Sequence, residues 1–150
     1  YDLLPPAHQV LVYPVAGNDT GTASYHENSN ARPLSKDMML WFIEQVVRTP
    51  EDKNSTLINV LGADLKGLPA TTVITAGIDP LRTDGEKLVE RLREAGVPVE
   101  HQNYEGATHE FFGMATVVQA ARHAQAMVAA KLKAALGVPD TAPAAGYVVR

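Results

Sequence analysis

The sequence predicts an α/β fold built on a parallel sheet, and three adjacent segments carry that prediction. Residues 71–76 (Thr-Thr-Val-Ile-Thr-Ala) are dense in β-branched side chains, which suit a pleated, buried strand. Residues 83–95 follow as a helix, with Leu88 and Leu92 one turn apart and Gly96 as the C-terminal stop. Residues 97–104 then alternate as a third strand of the chain. Strand, helix and strand with short connections form a βαβ unit, whose strands run parallel through a right-handed crossover.

The remaining elements fall around this unit. Residues 9–13 (Gln-Val-Leu-Val-Tyr) are a short apolar run stopped by Pro14 and read as the first, buried strand. Residues 16–33, rich in Gly, Asn and Asp, read as a long loop of the kind that carries function. Ser35 can cap a helix reaching to about Arg48, where Thr49 and Pro50 end it. Within it Met38, Phe42 and Val46 repeat every four residues, as do Met39, Ile43 and Val47. Residues 51–69 read as irregular, 105–110 as a loop, and 115–136 as a long Ala-rich helix. The tail 137–150 has two prolines and little to bury, which predicts loose attachment. Three parallel strands do not easily make a whole domain, because both faces need cover and the first strand enters without a partner. Residues 1–136 are therefore expected to be a portion of one domain.

Composition narrows the function classes. Of 150 residues, 45% are hydrophobic and 20% charged, an ordinary globular balance. The net charge of −4 offers no basic stripe for nucleic acid. No apolar run approaches the roughly 18 residues of a membrane span. With no cysteine, disulfides, thiolate metal sites and cysteine nucleophiles are out, and a reducing, cytoplasmic setting fits. No Gly-rich phosphate loop and no metal-ligand spacing appears, so no cofactor and no metal are expected. His8, His26, His101 and His123 show no ligand spacing and read as surface residues.

Chemistry gathers at the carboxyl ends of the strands, where open α/β sheets place their functional groups. Asp79 follows the second strand in Gly77-Ile78-Asp79-Pro80-Leu81-Arg82. His109 follows the third in Tyr104-Glu105-Gly106-Ala107-Thr108-His109. Adjacent strands lie roughly 4.8 Å apart, so both loops open at one edge within mutual reach. A carboxylate there can fix the imidazole tautomer and stabilise the imidazolium formed in catalysis, the acid–base half of a nucleophilic triad. The bland reading is that Asp79 caps a turn and His109 lies on the surface. Spacing alone leaves the two about even.

Sequence motifs add a resemblance. Asp79-Pro80-Leu81-Arg82, Ala95-Gly96-Val97-Pro98-Val99 and Tyr104-x-Gly106-x-x-His109-x-Phe111 resemble the C-terminal third of the hormone-sensitive-lipase-like esterases, serine hydrolases of the α/β-hydrolase fold. Val10-Leu11-Val12-Tyr13-Pro14 resembles that family's strand after the nucleophile helix, and Leu34-Ser35-x-x-Met38-Met39-x-Trp41-Phe42 its helix over the acyl pocket. Ala63-Asp64-Leu65-Lys66-Gly67-Leu68-Pro69 resembles its approach to the acid-bearing strand. The resemblance implies Asp79 as acid and His109 as base, with Met38, Met39 and Phe42 as candidate substrate-binding residues. Such a stripe at helical spacing is more often plain core. Two departures stand out: Glu110 replaces the usual glycine, and Thr83 precedes Asp84 where an Asp is usual. Asp84 is thus the runner-up acid, although its place in the first helical turn suits the helix dipole.

The serines are Ser24, Ser29, Ser35 and Ser55, and none stands in a Gly-x-Ser-x-Gly elbow. A His-Gly-Gly oxyanion motif is lacking too. The expected partner is therefore an upstream segment supplying nucleophile and oxyanion hole, and this chain alone should not hydrolyse its small ester substrate. The competing reading is a non-catalytic ligand-binding module or receptor on the same scaffold. The resemblance also implies a homodimer through strand 97–104 and helix 115–136.

Overall fold

The computed structural model describes residues 4–139. Its centre is a three-stranded parallel sheet in the order β1 (Gln9–Val12), β2 (Thr71–Ile78), β3 (Val99–Thr108). The middle strand β2 is buried from Thr71 to Gly77 because both faces are covered. Val73 joins Leu88, Val89, Leu92 and Val97 in a core beneath α3 (Arg82–Glu94). Ile74 and Ala76 point the other way, into a core with Phe111, Ala121, Ala124 and Val128 beneath α4 (Gln119–Ala135). Alternation along one strand thus feeds two hydrophobic layers, giving an α/β/α sandwich.

Helix α3 ends as its sequence predicts. Gly96 takes φ +78°, Val97 N–H donates to Leu92 O and Gly96 N–H to Arg93 O. This pair of bonds satisfies carbonyls that the helix end leaves open, and Leu92 packs with Val97 in the same core. At the start of α2 (Lys36–Val46), the Ser35 hydroxyl accepts the Met38 N–H at 3.2 Å, which confirms the predicted cap.

Several segments depart from the sequence reading. The loop 16–33 contains a short helix, α1 (Ala23–Glu27), and the irregular stretch 51–69 contains 3-10 turns at Pro50–Asn54 and Val60–Gly62. Strand β3 runs to Thr108 instead of stopping at 104, and the final helix begins at Gln119 instead of 115. His8 and His101 are not surface residues. Each is half-buried and shares a hydrogen bond of 2.9 Å with a threonine of β2, His8 with Thr72 and His101 with Thr75. Burial, helped by Arg93, pulls the His101 imidazole below its ordinary pKa. Among the described residues no helix is long and apolar enough to cross a membrane. Most of the tail 137–150 lies outside the described residues.

Candidate active site

The register between β2 and β3 brings the site together. From Thr71↔Val99 to Ala76↔Tyr104 the offset is constant at 99 − 71 = 28. Continued, it would set Asp79 beside Ala107. After an irregularity between Ala76 and Ile78 the pairing resumes as Ile78↔Thr108, an offset of 108 − 78 = 30. Two extra residues of β3 are taken up at this point, so that the resumed register sets Asp79 abreast of His109. Gly77 permits the close approach at this point: its Cα faces the Glu105 backbone so closely that an added Cβ would stand 2.1 Å from Glu105 O.

The result is a contact of 2.7 Å between His109 Nδ1 and Asp79 Oδ2. The Asp79 side chain is fully buried, and that of His109 is 18% exposed. The second carboxylate oxygen, Oδ1, accepts the Leu81 N–H at 2.9 Å, so both oxygens are aimed. With Nδ1 engaged by a carboxylate, Nε2 is the nitrogen left to exchange protons with a reactant, and it makes no hydrogen bond among the described residues. The His109 ring also lies against Tyr13, with centroids 4.3 Å apart. Tyr13 directly follows β1, at φ +37°, and its N–H donates to Ile74 O at 2.7 Å. Burial, with the carboxylates of Glu110 and Asp79 nearby, raises the Tyr13 phenol above its ordinary pKa and keeps it neutral.

Asp84, the runner-up acid, does not touch His109. Its Oδ2 accepts the N–H groups of Ala16 at 3.1 Å and Gly17 at 2.9 Å, tying the chain after β1 to the first turn of α3. It is therefore more than a helix-dipole partner. Burial raises its pKa against the opposing pull of those two donors.

An open hollow of about 480 Å³ lies beside His109, walled by Val12, Tyr13, Pro14, Val15, Leu34, Met39, Phe42 and Leu81. Met39 and Phe42, three residues apart on α2, share the face that lines it. Met38, one turn before Phe42, lies outside the hollow and is 39% exposed.

Comparison with known proteins decides the family. A family model described as alpha/beta hydrolase fold matches residues 2–113. The chain belongs to the α/β-hydrolase fold family. Carboxylesterase NlhH of Mycobacterium tuberculosis is 35% identical over 136 residues, covering 88% of this chain and 43% of that protein. An ethyl acetate hydrolase of Pseudomonas putida is 26% identical over 133 residues, covering 88% of this chain and 42% of its own length. Among solved structures, a hyperthermophilic esterase from the archaeon Pyrobaculum calidifontis superposes with a TM-score of 0.81 at 34% identity. That match covers 88% of this chain and 44% of the archaeal one. The chain thus spans less than half the length of these relatives.

Within this α/β-hydrolase chain, sequence reasoning missed the elements that brace the pair. Ser24, fully buried on α1, donates to Pro80 O at 2.6 Å and accepts the Thr83 N–H at 3.1 Å. Its only sequence signal was a hydroxyl in a Gly- and Asn-rich stretch. Tyr13 and Gly77 were likewise present only as a residue before proline and a turn glycine.

Proposed function

We propose that this chain carries the acid and the base of a carboxylic ester hydrolase. The nucleophile in this reading is a serine in a Gly-x-Ser-x-Gly segment outside residues 1–150. The observation that carries it is the 2.7 Å bond from His109 to a fully buried carboxylate at the carboxyl edge of the sheet, beside an apolar hollow. In the reaction, Nε2 of His109 takes the serine proton as the oxygen attacks the ester carbonyl. It then passes that proton to the departing alcohol, and in deacylation it activates water by the same route. Asp79 holds the tautomer and supports the imidazolium formed in both steps. Met39 and Phe42 wall the acyl side, and the resemblance to the hormone-sensitive-lipase-like esterases supports short to medium acyl chains.

The test is covalent labelling of the full-length protein by a fluorophosphonate. Labelling at an elbow serine, lost in His109→Ala, supports the proposal. Binding of an ester without any labelling would instead favour the receptor-like module. We also propose a homodimer through the free edge of β3 and α4, which Lys131 and Glu100 already bridge within one chain. Light scattering of a monomer across micromolar concentrations would sink that part.

A further inference from the structure

We infer that α1, with the Asn28 that caps its C-terminus, is a positioning clamp for the acid of this site, and that Ser24 and Asn28 are its working residues. This deepens the esterase reading and rests on it. Residues 79–83 form the turn that aims the Asp79 carboxylate, and three side chains from 24–28 grip that turn across more than fifty residues of sequence. Ser24 bonds Pro80 O and Thr83 N, one on each side of Leu81. Asn28 Nδ2 donates to the carbonyl oxygen of Asp79 itself at 3.3 Å. Glu27 pairs with Arg82 at 2.5 Å, and Arg82 Nη1 donates to Gly77 O at 2.9 Å, so the same cation spans from α1 to the end of β2.

The grip is placed to act on geometry. The turn follows β2 directly, and its one internal brace on the carboxylate is the Leu81 N–H. A shift of Pro80 or Leu81 would therefore carry Asp79 away from His109. The clamp also reaches the hollow, because Tyr25 of α1 packs with Leu34, Met39 and Leu81 in one buried cluster. Leu34, Met39 and Leu81 are themselves walls of the hollow. Acid orientation and acyl-side shape are thus set by one packed unit. A five-residue helix has no stability of its own, so its presence here depends on these tertiary bonds.

The test uses Ser24→Ala and Asn28→Ala in the full-length protein, the second at a half-buried site that tolerates truncation if the first fails to fold. Two readouts are needed. The first is kcat per fluorophosphonate-titrated site, expected to fall about tenfold to 100-fold with KM little changed, as for a small misplacement of a catalytic group. The second is the NMR signal of the proton in the hydrogen bond between His109 Nδ1 and Asp79. A carboxylate that has moved weakens that bond, so the signal should shift upfield or broaden into exchange with water in both variants. A merely structural α1 would reduce the number of titratable sites and leave that signal unmoved. Wild-type kcat per site together with an unmoved signal in both variants overturns the inference. If the full-length protein hydrolyses no ester, the functional proposal fails, while the His109–Asp79 proton signal still decides the clamp.

Discussion

Replacing Gly77 by alanine probes the register that brings Asp79 and His109 together. A Cβ there would stand 2.1 Å from Glu105 O and 2.6 Å from Glu105 Cα, where side-chain carbons are not found closer than 3.0 Å. The obstacle is backbone, so relief requires β2 and β3 to part by roughly 1 Å next to the bulge. Overpacking of this kind costs about 1–3 kcal/mol of stability. The same displacement acts on the 2.7 Å contact of Asp79 with His109, two residues past Gly77 and four past Glu105. A 1 Å misplacement typically costs about 100-fold in rate, equivalent to about 2.7 kcal/mol of barrier. The assay is kcat per fluorophosphonate-titrated site in the full-length protein, alongside a denaturant midpoint. Gly106→Ala is the matched control: it lies in the bulge, but its added Cβ meets nothing within 4 Å, so activity and stability should stay near wild type. Wild-type kcat and stability in Gly77→Ala would refute the claim that the strand contact sets the site.

The same geometry gives three further predictions. His109→Ala removes the proposed general base and should lower kcat on the order of 10²–10⁴-fold with KM little changed. His123→Ala, whose imidazole bonds only the Tyr104 hydroxyl at an exposed position, should keep its activity, and equal losses at both would refute the assignment. Asp84→Ala strands two N–H groups and should destabilise by about 1–3 kcal/mol for each, whereas Asp84→Asn keeps an acceptor for both and should cost far less. Because burial raises the folded pKa of Asp84, the native state binds more protons than the unfolded chain between the two values. This group therefore destabilises as pH rises through that window and recovers as pH falls below it. Stability curves from pH 4 to 7 should show Asp84→Asn gaining on wild type as pH rises; the opposite trend would refute the burial argument.

Local chemistry made part of this legible in the sequence. Strand β2, helix α3 with its Gly96 stop, and the Ser35 cap depend on neighbouring residues, and each forms where the pattern places it. The meeting of Asp79 and His109 was legible as proximity at one sheet edge. Its cause was not, because a register change is a relation between strands and leaves no periodic trace. Helix α1 was hidden for a related reason: Ala23–Glu27 is too short to be stable alone, and its bonds to residues 79–83 are long-range. His8 and His101 looked like surface residues because their partners, the buried Thr72 and Thr75, lie more than twenty residues away. Met38 looked equivalent to Met39 because the motif names both, while the hollow reaches only Met39 and Phe42 on this helix.

The most direct test of the central claim compares Asp79→Asn with Asp84→Asn in the full-length protein, by kcat per titrated site for a short-chain ester. Asp79→Asn keeps the shape but presents the wrong partner to the imidazole, and loss of this group in a triad costs roughly 10⁴ in kcat. Asp84→Asn leaves the 2.7 Å pair untouched and should hydrolyse the ester at close to the wild-type rate. A large loss for Asp79→Asn alone is the predicted result. Equal rates in the two variants, or a greater loss at Asp84, would contradict the account.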